Sequence, residues 1–110
     1  MNHYACRYAI VRFAPYTETG EFANVGIVIA CPETGYFDFK LQTKRYARIT
    51  AFFAALKADV YREALNAIET ELERIQRLVI ELPAGPARAD RIRDLITALT
   101  HPREAIVRFG

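Results

Sequence analysis

Apolar and polar positions alternate with a period of two over the first forty or so residues, and recur at spacings of three and four from there on. Residues Tyr4 to Phe13 are rich in Tyr, Ile, Val and Phe, types that suit a pleated surface, and Pro15 ends the run by withholding a backbone donor. Alternation puts Tyr8 and Ile10 on one face of this first strand and Ala9, Val11 and Phe13 on the other, with Arg7 and Arg12 on opposite faces. The turn formers from Tyr16 to Gly20 reverse the chain. In Phe22 to Cys31 the residues Val25, Ile27, Val28 and Ile29 occupy both parities, which predicts a central strand buried on both faces. After a second turn at Pro32-Glu33-Thr34-Gly35, Phe37, Phe39 and Leu41 alternate with Tyr36, Asp38, Lys40 and Gln42, as expected of an edge strand with one dry and one wet face.

From Thr43 the helical period begins, with Tyr46, Ile49, Phe52, Phe53 and Leu56 on one side. Asp59 reads as the N-cap of a second, longer helix whose stripe is Val60, Ala64, Leu65, Ile68, Leu72, Ile75 and Val79. Its solvated side carries Arg62, Glu63, Asn66, Glu69, Glu73, Arg74 and Arg77, with Glu73 and Arg77 spaced for an ion pair. Leu78 to Leu82 fits either the end of that helix or a short strand. Pro83 to Pro86 is a linker, Ala87 to Thr100 a third helix with Ile92, Leu95, Ile96 and Leu99 inward, and Glu104 to Phe109 a last strand. The fold class is therefore α+β: an N-terminal three-stranded antiparallel meander plus a C-terminal strand, packed against two or three helices in a single domain over residues 1–110.

Composition narrows the picture. With 52 % hydrophobic and 25 % charged residues the chain has enough apolar surface to fold alone, and a net charge of +2 does not by itself call for a nucleic-acid or membrane partner. No apolar run reaches membrane length, and Arg7 and Arg12 interrupt the N-terminal stretch, so a cytoplasmic protein without a membrane partner is expected. Cys6 and Cys31 lack the spacing of a metal knuckle and read as two buried free thiols, a disulfide between neighbouring strands being the alternative.

The chemistry available is sparse. There is no serine, the histidines His3 and His101 stand alone, and neither a P-loop nor a dinucleotide fingerprint occurs among five glycines. No catalytic residue, metal site or cofactor is expected. Two segments stand out. Glu21-Phe22-Ala23-Asn24-Val25-Gly26 places Glu and Asn in an otherwise apolar strand, where Asn24 can tie a bulge and Gly26 can admit a close neighbour. The alternative is a polar site formed by Glu21 with Arg7 or Arg12. Further on, Lys40, Lys44, Arg45 and Arg48 surround Tyr46 at a strand-to-helix junction, where positive charge beside an aromatic can hold an acidic protein surface or a phosphate backbone.

Taken with Leu99 to Phe109, the segments Tyr8-Ala9-Ile10-Val11-Arg12-Phe13-Ala14-Pro15 and Gly20-Glu21-Phe22-Ala23-Asn24-Val25-Gly26-Ile27-Val28 resemble the bacterial family catalogued as domain of unknown function 3037. The resemblance implies no activity and no catalytic residues. It implies neighbourhood to kinase-like toxins or mobile elements, hence a regulatory role, and members that continue past the last strand, so that this chain corresponds to the N-terminal part of a longer domain. The leading expectation is a non-enzymatic module of a bacterium or phage that binds a protein partner, as an inhibitor or accessory factor in a toxin or defence system. Nucleic-acid binding through the basic junction and a small enzyme built on Glu21 and an arginine are the alternatives, and self-association is left open.

Overall fold

The computed structural model describes residues 6–16, 20–44, 48–49, 53, 57–101 and 107–110. Strands β1 (Arg7–Phe13), β2 (Ala23–Cys31), β3 (Tyr36–Leu41) and β4 (Val107–Phe109) form one antiparallel sheet in the order β3-β2-β1-β4. Among the described residues, helices α1 (Ala58–Glu81) and α2 (Pro86–Thr100) complete the α+β fold expected from the sequence. A single helical turn at Pro32–Thr34 joins β2 to β3, and Gly35 follows it at φ 72°, a left-handed conformation that suits glycine.

Residues directly opposed on antiparallel neighbours share a face. Ala9, Val11 and Phe13 share theirs with Val28, Ala30, Phe37 and Phe39. Onto this face α1 packs Tyr61, Leu65, Leu72, Ile75 and Val79, and α2 packs Ile92 and Ile96, forming one apolar core. At its centre Phe13 meets the rings of Tyr61 and Phe53 edge-on, at 5.0 Å and 5.9 Å between centroids. Ile49 is buried in the same cluster. The rest of the predicted first helix, with Tyr46, Phe52 and Leu56, lies outside the described residues.

The opposite face carries Tyr8, Ile10, Arg12, Ile27, Ile29, Asp38, Lys40 and Arg108; no described helix packs across its middle, although Gln76 of α1 reaches Asp38 at the β3 edge. This corrects the expectation that β2 is buried on both faces. Val25, Val28 and Ala30 are buried, whereas Ile27 and Ile29 are only partly covered. The mixed parity has a local cause. Val11 faces Gly26 and Arg12 faces Asn24, so Val25 is an extra residue at a register shift and turns into the core out of step with its neighbours.

Other expectations shift by a residue or two. Leu78 to Glu81 finishes α1, so the short strand is not formed. Asp59 is not the N-cap: α1 starts at Ala58 after Lys57, whose carbonyl accepts from the Val60 and Tyr61 amides, and Asp59 pairs with Arg62 one turn on. With the start moved, Tyr61 enters the core fully buried and Val60 stays exposed. On the outer side Arg74 pairs with Glu71, Nε to Oε2 at 3.0 Å, while Glu73 and Arg77 form no ion pair with each other. The free-thiol reading is also corrected. Cys6 and Cys31 are joined by a disulfide, their Cα atoms 4.3 Å apart, because they face each other one position beyond the Arg7–Ala30 pair.

Candidate functional site

The uncovered face can be read as rows across the sheet. Asp38 lies opposite Ile29, which lies opposite Tyr8; Lys40 lies opposite Ile27, which lies opposite Ile10; and Asn24 lies opposite Arg12, which lies opposite Arg108. The middle of the face is therefore apolar, with Tyr8 69 % exposed beside partly covered Ile10, Ile27 and Ile29.

At the β3 margin Asp38 gathers donors. The Phe39 amide donates to Oδ1 at 2.8 Å, Gln76 Nε2 of α1 at 3.1 Å, and the Tyr36 hydroxyl to Oδ2 at 3.1 Å. The bond from the Phe39 amide, with those from Gln76 and Tyr36, holds the Asp38 carboxyl below the usual aspartate range, and the same carboxylate raises the Tyr36 phenol above its usual value. Gln76 also donates to the Phe37 carbonyl at 3.0 Å, which clasps β3 to α1.

The other end of the face is cationic. The Arg12 guanidinium stands over the Phe22 ring, 5.1 Å from its centroid. Lys40 and Arg48 line a hollow of about 260 Å³ together with Asn24, Gly26 and Gln42. Lys44 is exposed nearby and its carbonyl accepts from the Gln42 side chain. Arg45 and Tyr46 of the predicted basic group lie outside the described residues. Thus Lys40, Arg48 and Asn24 come together, joining the two segments singled out in the sequence.

Glu21 is exposed, and the groups that would make it a reactive centre do not converge on one pocket. Arg7 sits on the helix-covered face with NH1 3.2 Å from Thr97 Oγ1, and Arg12 is engaged with Phe22 on the other. Gly26 is pressed between strands, where a side-chain carbon would meet the Lys40 carbonyl oxygen. Tyr8, His101 and the pairing of Arg108 with Arg12 were not singled out as site features. The parity of Tyr8 and Arg12 announced a shared face, but the pairing with Arg108 depends on a strand at the far end of the chain. Among the described residues no three side chains are grouped to hold a metal, and no helix is long and apolar enough to cross a membrane.

Among the described residues these features make an α+β fold with helices on one side of the sheet and, on the other, a face that is apolar in the middle and cationic at one end. The chain belongs to the family described as Protein of unknown function (DUF3037), whose model matches residues 8–110. No curated protein and no solved structure matches it.

Proposed function

We propose that this chain is a non-enzymatic binding module that presents the open face of its sheet to a protein partner. The observation that carries the reading is an apolar strip of exposed Tyr8 and half-exposed Ile10, Ile27 and Ile29 across which no described helix packs. Lys40, Arg12 and Arg108 along one end support a partner with an apolar centre and an acidic margin. An inhibitory or accessory role in a bacterial toxin or defence system suits a small module of this kind. The test is reciprocal co-purification from the native host, repeated with Ile29→Glu and Lys40→Glu. Both variants lose the partner while keeping the wild-type circular dichroism spectrum; retention by both would overturn the reading.

A second reading is single-strand nucleic-acid binding, favoured by the exposed rings of Tyr8 and Phe22 on or beside a face that carries Arg12 and Lys40. It requires affinity for an oligonucleotide that falls steeply with added salt and falls again in Tyr8→Ala. Absence of salt-dependent binding eliminates it.

A further inference from the structure

We infer that Gln76 and Asp38 form a strap across the outer edge of β3 that keeps a second copy of this chain from pairing there. Among the described residues β3 ends the sheet, with β2 on one side and no strand on the other. The Gln42 amide donates to the Val25 carbonyl at 2.7 Å, and this directly opposed pair sets the alternation of the β2–β3 ladder. Tyr36, Asp38 and Lys40 therefore turn their backbone groups toward β2, while Phe37, Phe39 and Leu41 turn theirs outward. An outward row of this kind is the template on which a further strand adds.

Two of those outward groups are already engaged by side chains. Gln76 Nε2 reaches over from α1 and donates to the Phe37 carbonyl at 3.0 Å and to Asp38 Oδ1 at 3.1 Å. The same carboxylate oxygen accepts from the Phe39 amide at 2.8 Å, and the Tyr36 hydroxyl steadies Oδ2 at 3.1 Å. A continuous bridge from the Phe37 carbonyl through Gln76 and Asp38 to the Phe39 amide thus spans the middle of the edge, where side chains take the place of a neighbouring strand. Charge defines what the bridge excludes. In two copies of β3 set antiparallel about a two-fold axis at Phe39, the outward groups of the two Phe39 residues pair with each other. Asp38 of each copy then lies opposite Lys40 of the other, a favourable cross-strand pair in a closed dimer. Pairing in that register opens two straps, one from each copy.

The strap does not depend on a protein docking at Tyr8 and Ile29, and it is tested separately. Sedimentation equilibrium of the full chain over a concentration series measures self-association in wild type, in Gln76→Ala and in Arg77→Ala, a change at the next, exposed residue of α1. Gln76→Ala dimerises at least about tenfold more tightly than wild type, because the two straps no longer have to open, and Arg77→Ala matches wild type. Should Gln76→Ala fail to fold, Gln76→Met, which keeps the length of the side chain and loses its donors, carries the comparison. Two second changes locate the interface. Lys40→Glu added to Gln76→Ala sets like charges opposite each other and returns the protein to wild-type association, whereas Ile29→Glu, on the open face, leaves the tighter dimer intact. Equal association in Gln76→Ala and wild type, growth past a dimer, or a dimer broken by Ile29→Glu and indifferent to Lys40→Glu would overturn the inference.

Discussion

A side-chain carbon placed on Gly26 would meet the carbonyl oxygen of Lys40 and, at 2.7 Å, Cδ2 of Leu41. The Leu41 side chain can turn away, but the Lys40 carbonyl is backbone and cannot move without opening the β2–β3 ladder, so Gly26→Ala is expected to lower stability by about 1 to 3 kcal/mol, read as a fall in Tm. Tyr61 contributes both a ring against Phe13 and a hydroxyl that donates to the Gln42 carbonyl at 2.6 Å. Tyr61→Phe keeps the ring and is expected to cost about 1 kcal/mol in chemical denaturation. Asp38 is the pH-sensitive residue of the β3 margin. Its carboxyl is held low in the folded state, so its contribution is complete above the ordinary aspartate value of about 3.9 and fades as pH falls through the lower folded value. Asp38→Asn should therefore lower stability in the neutral region, where the contribution is complete, and flatten the acid limb below about pH 4, the variant and wild-type profiles converging at low pH in denaturation measured across pH. Alternation placed Asp38 on the wet face of its strand, but Tyr61 was left off the helical stripe and only packing turned it inward. The opposition of Arg12 and Arg108 was hidden, because nothing local in either segment specifies a partner nearly a chain length away.

At the scale of elements, the join between the helices rests on one side chain. Arg88 of α2 donates through Nε to the Leu82 carbonyl and through NH2 to the Ile80 carbonyl, each at 2.9 Å, so it ties off the last carbonyls of α1. Its position after a proline and glycine linker gave little sign of this in the sequence. Strands were more legible than helix starts. The clean alternation of β3 follows from its place at an edge, with one face in the core. The start of α1 was misplaced because Val60 and Tyr61 are adjacent apolar residues and only packing decides which turns inward. The disulfide belongs to this scale too. It closes the first hairpin across a separation of 25 residues, and in the chain-entropy account such a loop is worth about 3 kcal/mol. Titration of thiols in the purified native protein should find none, and reduction should lower the denaturation midpoint correspondingly.

Across the whole molecule, which measures 48 × 26 × 22 Å, a helix layer lies over one side of a four-stranded sheet. Two neighbouring residues of β2 test that layering. Val28→Glu puts a charge into the fully buried face and is expected to abolish cooperative unfolding, while Ile29→Glu puts it on the open face and is expected to change Tm by no more than a few degrees. The two melts, recorded side by side by circular dichroism, decide it. The layer count could not be read from sequence because an apolar strip on an open face looks the same as one covered by a third layer.

The position of β4 has a kinetic consequence. Strands β1, β2 and β3 are consecutive and can pair as soon as they are made, whereas β4 joins β1 only when Val107 to Phe109 arrive. Until they do, the outer edge of β1 carries unpaired donors and acceptors beside an apolar face, open to a strand from another molecule. Closing it is a contact between distant parts of the chain, the kind that slows folding. The last residues of this sequence thus act as a late guard on its first strand.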